Sequence, residues 1–501
     1  MTAAARILAV PALMLAASVL CRSMAFVPAV IDTDVGLYMV QARAWLAGGW
    51  PFVAAWDMHP PGAPALVALA MALFGETVLA VRLLGIVAVA LTGWALSALV
   101  RAGGGTSVQG LAAGLLYVVH TPLLTGLETN TEILFAPFVA ASMLLALRAA
   151  VRALDHAAAP RVRDIAAIGM PIGLALVIKQ IVVFEGSLAF AAAVLPAWRH
   201  GVIGLRRVLM LAAAYAAVCA APMLLLALAY AAQGAFGDLW DALVRAPLRY
   251  SGGRLAAGEA AWAVIAALLA LALPIGLATG ATLRPPPQGR RLVALGWAWL
   301  GAAALGIAAP GMFFQHYFVM ALPPLGLLAG LGAWRVAAAL RPAAPVPTLA
   351  AIVALLAFLA WRDDAVPRLQ AGFGLARADP PRAVAAALAA AVPRGSPVLV
   401  ANYHPVVLVL AGMEAPSRFV FPAQLTGHFG AVLPVEADAE LARILGERPA
   451  AIVVDRGWMH TLRPSASAAI EAALARDYVL AAEVAEQRGP VQIWRRRGLD
   501  G

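Results

Sequence analysis

The stretch Ile31–Leu66 reads IDTDVGLYMVQARAWLAGGWPFVAAWDMHPPGAPAL. It lies between an apolar run at 5–28 and another at 77–100, each long enough to cross a hydrocarbon core, which takes about 20 residues. Asp32, Asp34, Asp57 and His59 are gathered in it beside Tyr38, Trp45, Trp50 and Trp56. Gly48-Gly49 and Pro60-Pro61 break it into short helices and turns. The stretch 62–75 is apolar but too short to cross, which predicts a re-entrant or interfacial helix. A polar, aromatic loop framed by membrane-crossing runs therefore sets the architecture.

Working outward, further spans are predicted near 106–124, 131–150, 165–180, 182–198, 206–232, 258–282, 291–309, 312–333 and 347–361, eleven in all. The arginines test that count, because short loops on the cytoplasmic side collect positive charge. With the N-terminus inside, the inner loops hold Arg6, Arg101, Arg148, Arg152, Arg161, Arg163, Arg199, Arg206, Arg207, Arg284, Arg290, Arg291, Arg335 and Arg341. The outer loops hold Arg22, Arg43, Arg82, Arg245, Arg249 and Arg254. Fourteen against six supports the count and the orientation together. The first run is read as a span, not as a cleaved signal peptide, because more spans follow it.

Composition agrees. Of the 501 residues 63% are hydrophobic and 12% charged, at a mean hydropathy of +0.86. Soluble chains carry about 25% charged residues, so lipid must be this chain's solvent. The net charge of +10 would suggest nucleic acid elsewhere. Here the arginines sit in short loops between apolar runs, which membrane orientation explains, and no nucleic-acid partner is expected. Cys21 and Cys219 both lie inside apolar runs, which argues against a disulfide framework or a thiolate zinc site.

After Trp361 the composition changes. Strand-like runs at Pro397–Ala401, Arg418–Phe421, Ala451–Asp455 and Val491–Trp494 alternate with helical patterns at Ala437–Gly446 and Ser465–Arg476. The expected fold is an all-α polytopic membrane domain over 1–361, with its first outer loop at 29–76, followed by a small α/β soluble domain over 362–501. An odd number of spans places that domain outside, on a multi-pass protein of a cell membrane, read as a bacterial inner membrane from the Arg- and Ala-rich composition.

Several residues could carry chemistry. An interfacial aromatic belt with solvated acids would account for the loop. Three acids and a histidine together, in a chain so short of acids, favour a site. The next outer turn supplies Glu128, Asn130 and Glu132. The two glutamates share a face if a helix has already started; otherwise Thr129 or Asn130 caps a helix with Glu132 in its first turn. Lys179, the only lysine, and Gln180 end the fifth span on the same side. A lysine there can snorkel to water or partner a phosphate. His316 and Tyr317 lie at the outer boundary of the tenth span, as an anchor or as ligands. Under the topology set by the arginines, all these groups fall on one face. No P-loop, HExxH, strand-GxGxxG-helix unit or GxSxG elbow is present in the sequence.

The loop resembles the first outer loop of the membrane-embedded C-type (GT-C) glycosyltransferases, in particular the protein O-mannosyltransferase and aminoarabinose-transferase superfamily. Asp34-Val-Gly-Leu-Tyr38, Ala42 through Leu46-Ala-Gly-Gly49 and Trp56-Asp57-Met-His-Pro60-Pro61-Gly62 carry the likeness. Thr131-Glu132 and His316-Tyr317-Phe318 leading to Pro323-Pro324 add to it. The resemblance implies a glycosyltransferase of the cell envelope that takes a sugar from a polyprenyl-phosphate lipid and passes it, with inversion, to a lipid, glycan or protein. It implies that Asp34 is the base acting on the acceptor and that Glu132 is the second-loop acid. The family often has Asp-Glu at the first position, whereas this chain has Asp34-Val35, leaving the second acid's part open to Asp32 or Asp57. Arg82 and Lys179 are the candidates for donor phosphate, with Gln180, His59, His316, Tyr38 and Glu128 around the substrate. Asp32 and Asp34 could hold a divalent metal. A transporter or flippase of lipid-linked sugars and a non-catalytic assembly protein are the alternatives; the first would put charges at the midplane and show inverted repeats.

Overall fold

The computed structural model describes residues 3–251, 253–283, 289–371 and 379–499. Arg284 of the inner-loop set lies outside the described residues. In chain order the helices before the C-terminal region are α1 (Ala3–Cys21), α2 (Asp34–Leu46), α3 (Gly62–Phe74), α4 (Val78–Ala102), α5 (Ser107–His120), α6 (Thr131–His156), α7 (Val162–Leu176), α8 (Val183–Arg199), α9 (Leu205–Ala232), α10 (Phe236–Trp240), α11 (Ala246–Ser251), α12 (Ala257–Ala270), α13 (Ala272–Leu283), α14 (Gly289–Ala308), α15 (Leu322–Leu340) and α16 (Pro345–Ala371).

Each of the eleven predicted spans coincides with helix. Among the described residues, seven helices are long and apolar enough to cross a membrane, and eight if the bent pair α12–α13 is one span. The segments at 5–28, 106–124 and 165–180 are represented by the shorter helices α1, α5 and α7. The predicted non-crossing stretch 62–75 is α3, with 13 residues. The α12–α13 pair bends by 71°. Pro274 explains it: the ring has no N–H to give and would collide with the carbonyl of Ala270, the last residue of α12.

The chain divides into two compact units. The first comprises Met1–Met24, Leu83–Leu228 and Arg254–Pro367. Its helices approach through small residues, as packing inside lipid requires. On α15, Gly326 meets Tyr117 of α5 and Gly330 meets the backbone at Ala113, leaving no room for a methyl group at either glycine. Gly332 meets the Leu277 carbonyl of α13 in the same way. Hydroxyls tie helices where no water competes: Ser18 Oγ donates to Ile86 O at 3.0 Å and Ser142 Oγ to Ile168 O at 2.8 Å. A reciprocal capping box of Thr106 and Gln109 starts α5.

The second unit comprises Ala25–Arg82, Ala229–Gly253 and Arg368–Gly501, so the Asp-rich loop and the C-terminal region fold as one body. Its sheet has strands β1 (Val398–Val400), β2 (Ala451–Asp455), β3 (Tyr478–Val484) and β4 (Val491–Arg496), in the order β1-β2-β4-β3. β1 and β2 are parallel, and the other pairs antiparallel. Helices at Pro380–Ala391, Val406–Ala411, Ala437–Glu447 and Pro464–Asp477 flank it.

Two expectations change. Arg418–Phe421 is not a strand, because its backbone bonds are taken elsewhere: Arg418 O accepts from Trp56 N at 2.8 Å and Phe419 N donates to Ser417 Oγ at 3.2 Å. Tyr478–Val484 is a strand that the sequence does not announce, since it follows a helix with no turn residue between them. Helix α16 also continues past Trp361 to Ala371; the polar residues from Arg362 end the apolar run but not the helix.

The loop is fastened to the C-terminal region by charge-assisted bonds to backbone carbonyls. Arg43 donates to Leu408 O at 3.0 Å and to Met413 O. Arg418 Nη1 bridges Phe52 O at 3.2 Å and Asp238 Oδ1 at 2.7 Å. Gly36 lies so close to the Val406 backbone that a Cβ would stand 2.8 Å from Val406 N, so a larger residue there would push the two segments apart.

Candidate active site

In the loop body, Asp34 opens α2, where the positive end of the helix dipole favours a carboxylate. Its N–H donates to Asp32 Oδ1 at 3.3 Å, so Asp32 caps the turn that presents Asp34. Both acids are half-buried. Tyr38, one turn further along α2, is buried. Asp57 is held differently. Its side chain is 2% exposed, Oδ1 accepts from Met58 N at 2.7 Å, and Oδ2 meets His59 Nδ1 at 2.9 Å. Asp57 thus orients His59. Arg82 is buried, and its guanidinium reaches the carbonyls of Ala25 at 3.0 Å, Pro28 at 3.4 Å and Ala29 at 3.2 Å, holding the entry to the loop.

One residue of this body reads in the sequence as a strand end, not as part of a site. His404, just after β1, lies within electrostatic reach of Asp32, and its buried Nδ1 has no hydrogen-bond partner among the described residues. Burial pushes the imidazole down to about 4, against the opposing pull of Asp32. In the sequence, Asn402-Tyr-His404 reads as a plain strand end; only the fold brings it to the acids.

The helical unit holds a second group. Glu132 stands in the first turn of α6 with its side chain wholly buried, and Lys179 Nζ meets its Oε1 at 2.5 Å. Thr131 Oγ1 donates to the other oxygen at 3.0 Å. Lys179 can reach because α7 stops at Leu176 and the chain turns extended at Lys179 (φ −154°, ψ 127°) before α8 begins. The ammonium sits 4.2 Å from the centre of the Tyr317 ring, and His316 packs edge-on against Tyr317 at 4.8 Å. Both His316 and Tyr317 are buried, in a 3₁₀ turn at Gln315–Ala321 that leads into α15. Gln180 follows Lys179, half-buried. A buried ion pair costs much to desolvate and is lost if either partner goes, so this arrangement fixes a cation in place.

Glu128 does not share a helix face with Glu132, because α6 begins at Thr131 with Asn130 in the capping position. Its Oε1 accepts from Thr129 N at 3.1 Å. The turn before it is strained, with positive φ at Leu124 and Thr125. Arg22 secures that turn: buried, it donates to Gly126 O at 2.6 Å, Leu127 O at 2.7 Å and Glu128 O at 3.3 Å. In the sequence Arg22 reads only as an outer-loop charge. Glu185, buried in α8 with Trp299 Nε1 donating to its Oε1 at 2.5 Å, is a further acid inside a predicted span, the signal by which the sequence could have marked it.

Residues 58–226 match the sequence family described as dolichyl-phosphate-mannose-protein mannosyltransferase. That segment contains His59, Arg82, Glu128, Glu132, Lys179 and Gln180. Among solved structures, ArnT from Cupriavidus metallidurans bound to undecaprenyl phosphate is similar over 100% of both chains, at 15% identity and a TM-score of 0.64. The same protein in the apo state aligns over 100% of both chains at 16% identity and 0.63. The oligosaccharyltransferase AglB from Archaeoglobus fulgidus, in complex with an inhibitory peptide and a dolichol-phosphate, is similar over 98% of this chain and 74% of its own, at 12% identity and 0.53. No curated protein matches the chain in sequence. The fold is of the GT-C type seen in ArnT, as the loop's resemblance implied, and residues 58–226 match the mannosyltransferase family model.

Proposed function

We propose that this membrane protein is a glycosyltransferase that moves a sugar from a polyprenyl-phosphate lipid to an acceptor nucleophile, with inversion at the anomeric carbon. The observation that carries the assignment of the base is the position of Asp34: half-buried at the start of α2, its turn capped by Asp32, while Asp57 is engaged with His59. The family segment and the likeness to ArnT, solved with undecaprenyl phosphate, support the donor class.

In this scheme the acceptor oxygen or nitrogen attacks C1 from the side opposite the phosphate, and Asp34 takes its proton. The C1–O bond breaks, and the lipid phosphate leaves with the electron pair. Charge grows on that phosphate as the bond breaks, and fixed cations stabilise it without having to reorganise. Lys179, held by Glu132, is the cation for this part, with Gln180, His316 and Tyr317 beside it. Arg82 keeps the loop entry in shape, and Tyr38 and His59 are assigned to substrate binding. Asp32 and Asp34 offer two hard oxygens, the number with which Mg²⁺ is often held alongside waters and a substrate phosphate; when bound, the ion would offset phosphate charge. A donor loaded with its sugar elsewhere needs no nucleotide fold, and the sequence has no nucleotide-binding motif.

The test is a donor comparison with purified protein. A polyprenyl-phosphate sugar should support formation of a new glycosidic bond, and the matching nucleotide sugar should not. Transfer from the nucleotide sugar, or none from either, would overturn the assignment.

A further inference from the structure

Arg101 lies in the last turn of α4, and Arg148 and Arg152 stand one turn apart on α6. With Ala98, Ala102 and Gly105 they line an open cleft of about 560 Å³ that no carboxylate lines. Arg152 is partly neutralised by Asp164, Nη2 to Oδ1 at 3.2 Å. Arg101 and Arg148 are exposed and have no ionic or hydrogen-bond partner among the described residues.

Arg148 lies sixteen residues along α6 from Glu132, about 24 Å at 1.5 Å per residue. That distance approaches the roughly 30 Å of a bilayer's hydrocarbon core. The cleft therefore opens near headgroup level at the end of α6 away from the Glu132–Lys179 pair. Membrane orientation accounts for arginines in short loops, but it does not require three of them to converge on one hollow between two helices. Guanidinium forks match phosphate oxygens, and basic hollows between spans are where anionic headgroups settle. The alanine and glycine walls leave room for a glycerol backbone.

We propose that this cleft binds the phosphate of an anionic phospholipid headgroup, in the leaflet opposite the Glu132 end of α6. The inference does not rest on the transferase assignment, and neither Arg101 nor Arg148 belongs to the proposed chemistry.

The test uses the full chain in phosphatidylcholine nanodiscs or neutral detergent, titrated with phosphatidylglycerol and read by native mass spectrometry. Wild type should bind phosphatidylglycerol in preference to phosphatidylcholine. R101Q/R148Q should bind it about 30-fold more weakly, from about 1 kcal/mol per arginine at an anionic surface. R101K/R148K should recover part of that affinity, and guards against a glutamine variant that fails to fold. Equal phosphatidylglycerol affinity in wild type and R101Q/R148Q would overturn the proposal, as would equal binding of the two lipids by wild type. Inorganic phosphate binding as tightly as phosphatidylglycerol would show a free-anion site and overturn the lipid assignment.

Discussion

At the scale of single residues, the account rests on which acid is placed to accept a proton and which cation is placed to meet a phosphate. Asp34→Asn keeps the shape of the helix start but removes the base. A general base contributes typically 10²–10⁴-fold, so transfer should fall by about that factor in a protein that still folds and binds donor. Asp32→Asn should cost less, because Asp32 acts through the turn it caps. Near wild-type transfer by Asp34→Asn, with loss in Asp32→Asn or Asp57→Asn, would move the base to another acid. Lys179 needs a different design. Lys179→Met alone strands Glu132 as a buried charge, a change that costs about 3–5 kcal/mol. The double variant Lys179→Met/Glu132→Gln removes both charges; its donor Kd should rise about tenfold or more, the worth of a charged hydrogen bond, with acceptor affinity unchanged. Unchanged donor affinity would leave Lys179 a purely structural role. Lys179 and the Asp32–Asp34 pair could be singled out in the sequence because such groups are rare in so apolar a chain. Arg22 and His404 could not, because what each meets lies far along the chain: Arg22 braces residues 126–128, and His404 meets Asp32 only after the C-terminal region folds onto the loop.

At the scale of elements, the apolar helices were legible because apolar length is written locally, although among the described residues only seven, or eight with the bent pair, are long enough to cross a membrane. The C-terminal strands were legible where they are buried and uninterrupted, as at Ala451–Asp455, and not where a strand follows a helix without a turn signal, as at Tyr478. What the sequence hides is how elements pair. The Asp-rich loop reads as an interval between spans, yet its Arg43 and Gly36 are specified by Leu408, Met413 and Val406 some 365 or more residues away. Helix pairing yields a stability prediction. The α5–α15 contact depends on Gly330, which has no space for a side chain against Ala113, whereas Gly301 on α14 faces open space. Gly330→Leu should lower the thermal midpoint in detergent, by the roughly 1–3 kcal/mol typical of overpacking or more. Gly301→Leu should leave it within the usual scatter of surface changes. Equal midpoints would mean that α5 and α15 do not depend on that approach.

At the scale of the whole molecule, the arginine distribution predicts that the Asp-rich loop and the C-terminal region face away from the cytoplasm. Reporter fusions placed after residue 379 should therefore report an extracytoplasmic location. A cytoplasmic signal there would reverse the assignment of faces and put the acids on the side where nucleotide sugars are made. The lipid-phosphate donor, the base and the inversion then meet in one reaction. Purified protein given a polyprenyl-phosphate sugar and an acceptor should release one free polyprenyl phosphate for each new glycosidic bond, with the anomeric configuration of the donor inverted in the product. Lipid-linked sugar that crosses a vesicle membrane intact, with no polyprenyl phosphate released, would contradict the account and identify a transporter instead.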